Sequence, residues 1–292
     1  MSRTKLILLG TGTPNAEPWA SGPAVAVTVD DKAYLVDFGA GVVRQCTKAF
    51  SMGIERLNPR NLTVAFCTHL HSDHTTGLAD LIFTPWVLTR NEPLKIYGPK
   101  GMKHMVDCIS DAYKVDVDFR LHGDEQGNEN GYKTDVTEIY NGYVYKDELV
   151  TVEAFTALHG TLECYSFKFT TPDKVIVISG DTCPTQLMVD KAKGCDILLH
   201  EAYYDGGLAQ RAEHWQKYHS SVHTSSVALG KMCNEIKPKQ LITYHRIYHT
   251  MIFDNSINMT KHIKDREYAI LEEIRSVYDG EVCNGQDLDV FV

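Results

Sequence analysis

The sequence predicts an α/β (or α+β) fold in which two β-sheets pack together and helices lie outside them. Two observations support this prediction. β-rich runs recur in both halves of the chain, and segments with apolar residues at helical spacing stand between them. No repeat, low-complexity tract or Pro/Gly-rich linker marks a boundary within the 292 residues. A single domain over residues 1–292 is therefore expected.

The first third of the chain begins with strands. Three β-rich runs open it, at Lys5–Leu9, Ala24–Val29 and Ala33–Asp37. Apolar residues then recur at helical spacing over Val42–Phe50. The run Leu62–Cys67 predicts a further strand, and a helix is expected over residues 75–88. The histidine-rich segment between these two elements should therefore form a strand-to-helix loop.

The remainder of the chain alternates between strands and helices. Helices are expected over residues 100–113, 220–234 and 261–277, and strands over residues 94–97, 149–154, 166–169, 175–179, 197–200 and 240–244. The polar stretch from 116 to 147 carries several Gly and Asn residues and fits neither pattern. We interpret it as a loop or hairpin insertion in the domain.

Composition excludes several classes of protein. The formal net charge is −9, which argues against broad nucleic-acid binding because such binding depends on neutralisation of phosphates by Lys and Arg. The eight cysteines are scattered singly, which is typical of reduced thiols. The N-terminal apolar run is too short for a signal peptide or a membrane span. A cytoplasmic protein without membrane association is expected, and a homodimer is left open.

Four residues of metal-binding type lie within six positions, in the pattern HxHxDH. His69 and His71 are two residues apart in an extended segment, so their rings point the same way and can bind one ion. Asp73 and His74 come where the chain turns towards the helix and can reach a second ion. Imidazole together with carboxylate suits Zn²⁺, with Fe or Mn as alternatives. The cluster therefore predicts a metal site, and the site as a whole is expected to hold two Zn²⁺ per chain.

A site with two ions needs more ligands than this cluster supplies. Three candidates stand where predicted strands end: His159, Asp181 and His245. Asp37 also follows a strand, and taken alone it would be an ordinary turn residue.

With these residues in place, the sequence resembles the metallo-β-lactamase superfamily from Leu6 to about His245. The five sequence motifs of that family appear in order: Asp37 in Leu35-Val36-Asp37-Phe38-Gly39, the HxHxDH motif, His159-Gly160, Ser179-Gly180-Asp181-Thr182 and His245. The resemblance implies a four-layer αββα sandwich, with two mixed sheets flanked by helices.

The resemblance also implies roles for the site residues. His69, His71 and His159 would bind one zinc ion, while Asp73, His74 and His245 would bind the other. Asp181 would bridge the two ions. Asp37 would brace the ligand loop through hydrogen bonds without touching metal.

Three strings look like the ribonuclease Z and arylsulfatase-like branch. They are Leu9-Gly10-Thr11-Gly12-Thr13-Pro14, Leu199-His200-Glu201-Ala202, and His223 followed by small residues. An Asp at position 181, where the common antibiotic-hydrolysing members have Cys, resembles the phosphodiesterase, sulfatase and lactonase branches of the superfamily. The resemblance implies that His223 is the general acid for the leaving oxygen, oriented by Glu201. The alternative for His223 is a surface residue near a helix N-terminus.

Two departures argue against a true tRNA-processing enzyme. Asp181 follows His159 by only 22 positions, which leaves no room for the tRNA-gripping arm that ribonuclease Z carries there. The residues after His245 are Arg246-Ile247-Tyr248-His249, where that family has a Phe-Ser-x-Arg-Tyr-like continuation. The substrate end of the pocket should therefore differ.

The predicted activity is hydrolysis of a small-molecule phosphodiester or sulfate ester. A hydroxide bridging the metal ions would attack, Asp73 would serve the site as a ligand, and His223 would protonate the leaving group. Three alternatives stay open: a lactonase or β-lactamase type of carbonyl hydrolase, a tRNA 3′-processing endoribonuclease, and a zinc-binding protein without catalysis.

Several further residues are candidates for the pocket, although ordinary packing explains each of them as well. They are Trp19, Ser21, His214, Trp215, Tyr218, His219 and His249. Cys183 follows the Asp181-Thr182 pair, and we interpret it as a small packing residue and not as a ligand or nucleophile.

Overall fold

The computed structural model describes residues 3–249 and 259–292. The chain divides into two compact units. Unit 1 comprises Met1–Gly10, Trp19–Tyr140 and Asp287–Val292, whereas unit 2 comprises Thr11–Pro18 and Asn141–Gln286. Each unit is built on one seven-stranded sheet. The single domain over residues 1–292 stays a prediction.

The sheet of unit 1 is mixed. Its strands, in spatial order, are β14 (Val290–Phe291), β1 (Thr4–Gly10), β2 (Ala24–Val29), β3 (Lys32–Val36), β4 (Val64–Phe66), β5 (Leu94–Gly98) and β6 (Thr134–Glu138). Pairing is antiparallel from β14 to β3 and parallel from β3 to β6. The predicted strands of the first third are present. All six residues of β2 are buried, which shows that this strand is covered on both faces.

In the described part of unit 1, five α-helices accompany this sheet. They are α1 (Val42–Ser51), α2 (Ser72–Thr75), α3 (Leu78–Val87), α4 (Met102–Ala112) and α5 (Lys114–His122). Ile7, Leu9 and Leu35 from the strands share one buried apolar cluster with Val43 and Leu81 from the helices. Alternate residues of each strand thus pack against the apolar stripes of the helices, as amphipathic elements require.

The sheet of unit 2 repeats this plan. Its strands, in spatial order, are β13 (Val282–Asn284), β12 (Gln240–Ile247), β11 (Ile197–Tyr203), β10 (Val175–Ile178), β9 (Leu162–Thr170), β8 (Thr151–His159) and β7 (Gly142–Lys146). Pairing is parallel from β13 to β10 and antiparallel from β10 to β7.

Within residues 141–249 and 259–286, unit 2 has five α-helices. They are α6 (Gln186–Ala192), α7 (Asp205–Leu208), α8 (Glu213–Val222), α9 (Ser226–Ile236) and α10 (Met259–Arg275). Leu198 and Leu241 of the sheet pack with Leu229, Ile236 and Ile270 of the helices. None of the helices in the described ranges is long and apolar enough to cross a membrane.

The change from antiparallel to parallel pairing marks where polar side chains collect. In unit 1 the change falls at β3, which Asp37 follows, and in unit 2 it falls at β10, after which Asp181 stands. Parallel strands bring their carboxyl ends to the same edge of a sheet, where α/β proteins place ligands. Each unit therefore gathers its candidate site residues at one edge.

Two sequence-based predictions need correction here. The helix expected over residues 75–88 is broken between α2 and α3 at Gly77, whose amide donates to the carbonyl of Phe38 at 2.8 Å and not within the helix. The segment 116–147, expected as a loop or hairpin insertion, contains most of α5 and the edge strands β6 and β7. These two strands belong to different sheets and do not form a hairpin.

Candidate metal centre

The HxHxDH motif lies on the predicted strand-to-helix loop. The chain leaves β4, stays extended to His71 and enters α2 at Ser72. The Nε2 atom of His69 lies 3.0 Å from the Nδ1 atom of His71. Two ligands of one tetrahedral zinc ion with bonds of 2.0–2.1 Å are about 3.3 Å apart, so this pair fits a shared ion. Asp73 and His74 form the other pair of this loop, with Nε2 of His74 3.5 Å from the Asp73 carboxylate.

Asp37 holds this loop in place. Its Oδ1 atom accepts hydrogen bonds from the amide of Thr68 at 2.7 Å and from the Thr68 hydroxyl at 3.0 Å, and its Oδ2 atom lies 2.8 Å from Nδ1 of His74. Asp37 has a positive φ of 59°, which turns its side chain towards the loop. The bracing that the sequence suggested is present as hydrogen bonds.

These bonds also fix which ring nitrogens carry protons. Since Asp37 accepts from Nδ1 of His74, the Nε2 atom of that ring is left basic. The Thr68 hydroxyl donates to Asp37 and so accepts from Nδ1 of His69, at 2.9 Å. In both rings Nε2 therefore carries the lone pair, which is the form that binds a metal ion.

Replacement of Asp37 by Asn is expected to lower the metal affinity of the protein about 10-fold to 100-fold, because an amide cannot accept from all three donors at once. Metal content after dialysis against graded chelator concentrations measures this effect. Asp118→Asn, the same change at an exposed position of α5, is the matched control and should bind metal as the unchanged protein does. Wild-type affinity in Asp37→Asn would contradict the assigned role.

Unit 2 presents its candidates at strand ends. His159 is the last residue of β8, and its Nδ1 atom donates to the carbonyl of Val222 at 2.8 Å, so its Nε2 atom is basic too. Gly160 follows with a φ of 63°, a conformation that glycine adopts without strain. Asp181 comes after β10, and one of its carboxylate oxygens lies within 4.8 Å of a ring nitrogen of His159.

His245 stands on a β-bulge. It lies in β12 between Tyr244, opposite Glu201, and Arg246, opposite Ala202, where the register with β11 shifts by one residue. Its φ is 43°, and its amide donates to the carbonyl of Thr11 at 3.1 Å. The bulge turns the ring so that Nε2 lies 3.7 Å from the Asp181 carboxylate.

Arg246 secures this bulge from the other side. Its guanidinium is buried and donates to the carbonyls of Thr243 and Gly285, to the hydroxyl of Tyr248 and to the carboxylate of Glu267. These bonds fix the side chain of Arg246, the residue that directly follows His245 in β12. The departure from the ribonuclease Z pattern at position 246 thus has a structural role.

His223 lies beside these residues. It is 7% exposed, so it is not the surface residue that was the alternative, and its Nδ1 atom lies 3.0 Å from Oε1 of Glu201 and 3.9 Å from Oδ2 of Asp181. Burial alone would lower the pKa of His223, but the carboxylate of Glu201 outweighs it and raises the pKa above its usual value. With Nδ1 bound to Glu201, the Nε2 atom is the one available for proton transfer.

The helix expected over residues 220–234 is therefore wrong as a single element. It is divided into α8 and α9, with His223 at the C-terminal cap of α8. Glu201 accepts from the amide of Thr224 at 3.1 Å, which holds the backbone out of the helix, and the hydroxyl of Ser225 caps α9 by accepting from Ala228. His223 owes its position to this interruption.

The structure also places the remaining candidates. His219 and His249 lie with their ring centroids 4.6 Å apart, and His219 is 5.8 Å from His223. Trp19 and Ser21 belong to unit 1. Burial raises the pKa of Cys183, which agrees with a packing role because a ligand or nucleophile needs the thiolate.

The donors described above suit a divalent metal ion. They are imidazole nitrogens, with three of the rings held in the basic-Nε2 form, and carboxylate oxygens. This mixture is typical of Zn²⁺ sites and of Fe and Mn sites. The chain therefore carries a His/Asp site for divalent metal.

Comparison with known proteins agrees with the site. The family model described as "Beta-lactamase superfamily domain" matches residues 32–246. A protein named Ribonuclease Z from Mycobacterium sp. (strain KMS) is 30% identical over 231 residues, which cover 76% of this chain and 78% of that protein. Another Ribonuclease Z, from Mycobacterium bovis, is 29% identical over 78% of this chain and 81% of its own length.

Solved structures share the fold. The metallo-beta-lactamase fold protein YhfI from Bacillus subtilis superposes with a TM-score of 0.69 and 17% identity and covers all of both chains. The short form of human tRNase Z gives a TM-score of 0.70 with 21% identity over 99% of this chain and 98% of its own. These likenesses confirm the predicted fold class, two mixed β-sheets flanked by helices. Between His159 and Asp181 the chain forms only β9, β10 and short connections.

Proposed function

Because the chain belongs to the metallo-β-lactamase superfamily, we propose that it hydrolyses a small phosphodiester or sulfate ester with the help of two zinc ions. The chain is a metal-dependent hydrolase of ester bonds, as its family and its relatives indicate. One observation carries the finer proposal. His69, His74 and His159 each engage Nδ1 in a hydrogen bond, which prepares Nε2 for a metal ion.

The proposed ligands follow the family pattern. We assign His69, His71 and His159 to one ion, Asp73, His74 and His245 to the other, and Asp181 to both. The hydrogen bonds within each unit support this assignment, since Asp37 orients the loop of unit 1 and the bulge orients His245 in unit 2. When bound, the ions would lower the pKa of water and polarise the ester, supplying the nucleophile and part of the charge stabilisation.

His223 is the proposed general acid. Glu201 keeps its Nδ1 atom protonated and leaves Nε2 to deliver a proton to the departing oxygen. Glu201 accepts two further hydrogen bonds, from the amides of Thr182 and Thr224, and is fully buried. These bonds hold the carboxylate still, so that it positions the His223 ring.

A small substrate is favoured over a long polyanion. The net charge is −9, and the connection from His159 to Asp181 has no arm that could grip a nucleic acid. The relatives named Ribonuclease Z favour RNA cleavage as the second candidate function. A lactone is the third, because the same nucleophile can attack a carbonyl.

A substrate panel with metal-loaded protein tests the proposal. The panel contains bis(4-nitrophenyl) phosphate, 4-nitrophenyl sulfate, an aliphatic lactone and a precursor tRNA, and metal content is determined on the same samples. We expect about two zinc ions per chain and the greatest kcat/KM on the phosphodiester or the sulfate. Dialysis against a chelator should abolish turnover, and added Zn²⁺ should restore it.

The other outcomes each identify a competing function. Greatest turnover on the lactone would replace the proposed reaction with carbonyl attack. Cleavage of precursor tRNA that weakens steeply with added salt would favour the RNA candidate. Ester hydrolysis that survives in Asp73→Ala, with Asp118→Ala as the exposed control, would show that the activity does not come from this site.

A further inference from the structure

Helix α8 carries three aromatic rings on one face. Trp215, Tyr218 and His219 stand at positions i, i+3 and i+4, and we call this set the ring row. Its centroids lie 6.1 Å apart for Trp215 and Tyr218, 5.8 Å for Trp215 and His219, and 5.2 Å for Tyr218 and His219. Trp215 is 41% exposed and Tyr218 is 47% exposed, so the outer part of the row is open to a ligand.

The ring row leads directly to the proposed general acid. The His219 ring stacks on His223 with a centroid distance of 5.8 Å and an interplanar angle of 27°. His249 meets His219 edge-on at 4.6 Å, and Tyr203 lies behind His249 at 5.5 Å. Ring contacts are thus continuous from the helix surface to the side chain that would protonate the leaving oxygen.

Two polar atoms beside the row point to a ligand. Nδ1 of His219 and Nε2 of His249 are buried and have no hydrogen-bond partner among the described residues. Burial lowers the pKa of His219 to about 4 and that of His249 to about 3, so both rings are neutral at pH 7. Buried polar atoms of this kind are normally satisfied, and a bound group could satisfy them.

We propose that the ring row binds a planar aromatic group on the leaving side of the ester. Such a group would stack on His219 and, if it reaches further, on Trp215 and Tyr218, while its polar edge meets the Nε2 atom of His249, whose ring stands edge-on to His219. The neutral rings favour an uncharged aromatic group over a second anionic group. The inference rests on the proposed function for the position of the reacting ester beside His223.

Two matched pairs of phosphate monoesters test this site. Phenyl phosphate is compared with cyclohexyl phosphate, and adenosine 5′-monophosphate with ribose 5-phosphate, so that each pair differs only in the aromatic group. Dissociation constants are measured by calorimetry on the metal-loaded protein. We expect the aromatic member of at least one pair to bind about tenfold more tightly.

Variants of the row then locate the effect. A phenyl ring joined to the ester oxygen should reach only His219, which stacks on His223. His219→Ala should therefore abolish the preference for phenyl phosphate over cyclohexyl phosphate. In the second pair the adenine lies beyond the ribose and would reach further along the row. The preference for adenosine 5′-monophosphate over ribose 5-phosphate should therefore be lost in both Trp215→Ala and His219→Ala. Trp215→Phe should retain it, as should Tyr268→Ala, which removes an exposed ring from α10. Preference in the first pair would assign the site to simple aryl groups, and preference in the second alone to nucleobases.

Three results would overturn the inference: no aromatic preference in the unchanged protein, a preference that survives both row variants, or a change of oligomeric state in Trp215→Ala with the preference intact. The last would assign the row to contact with a second copy of the chain. The two proposals fail separately. Aromatic preference without any ester hydrolysis would contradict only the proposed function, and hydrolysis without aromatic preference only this inference.

Discussion

Replacement of Asp181 by alanine is expected to reduce kcat/KM for the ester substrate at least about a thousandfold, since loss of the proposed bridging ligand would remove several kcal/mol of transition-state stabilisation. The Asp181 carboxylate is 2% exposed and lies 3.7 Å from Nε2 of His245 and 3.9 Å from Nδ1 of His223. The substitution therefore removes the negative charge that lies between the imidazole rings of His223 and His245. Steady-state kinetics together with metal content per chain measure the effect.

Asp190→Ala provides the control for this variant, because it removes an exposed carboxylate of α6 in the same unit. It should keep both its metal and its activity. Asp181→Asn separates charge from shape, and we expect it to lose nearly as much activity as the alanine variant. Full activity with a normal metal content in Asp181→Ala would remove this residue from the site.

Replacement of His223 by Gln is expected to lower kcat about 100-fold to 10,000-fold for an ester with a poor leaving group such as an alkoxide. For 4-nitrophenolate, which leaves readily without a proton, the loss should be much smaller. Rates for both types of ester, measured with the same variant, give the comparison. His104→Gln, at an exposed position of α4, is the control.

Dependence on the leaving group distinguishes proton donation from a structural role. An equal loss for both esters would mean that His223 only shapes the pocket. Glu201→Gln should produce the same dependence with a smaller loss, because the amide still occupies the place of the carboxylate but no longer favours the protonated ring.

Much of this fold follows from local signals in the chain. Apolar runs such as Ala24–Val29 and Ile197–His200 are strands because every position is buried, and helical spacing marks α1 and α10. The sequence pattern did not predict strands β6 and β7. Both are edge strands without buried residues, so their sequences show no alternation of apolar and polar residues. The break at Gly77 depends on the carbonyl of Phe38, which is distant in sequence.

In the candidate site, too, some residues could be predicted from the sequence and others could not. The HxHxDH motif and the strand-end positions of His159 and Asp181 are readable because a ligand type and an element boundary coincide. The bulge at His245 requires pairing with β11, and the break at His223 requires Glu201. The contact of His249 with His219 likewise depends on tertiary structure, so no local pattern could indicate it.

The short strand β14 has a consequence for biosynthesis. Unit 1 includes Asp287–Val292, and the Asp287 carboxylate accepts hydrogen bonds from the amide of Ser21 and the side chain of Gln45, while β14 pairs with β1. Because translation proceeds from the N-terminus, β1 cannot pair with β14 until residues 290 and 291 have left the ribosome. The nascent chain therefore carries the edge of β1 open throughout synthesis of unit 2. An open strand edge of this kind can pair with another chain and so favours aggregation.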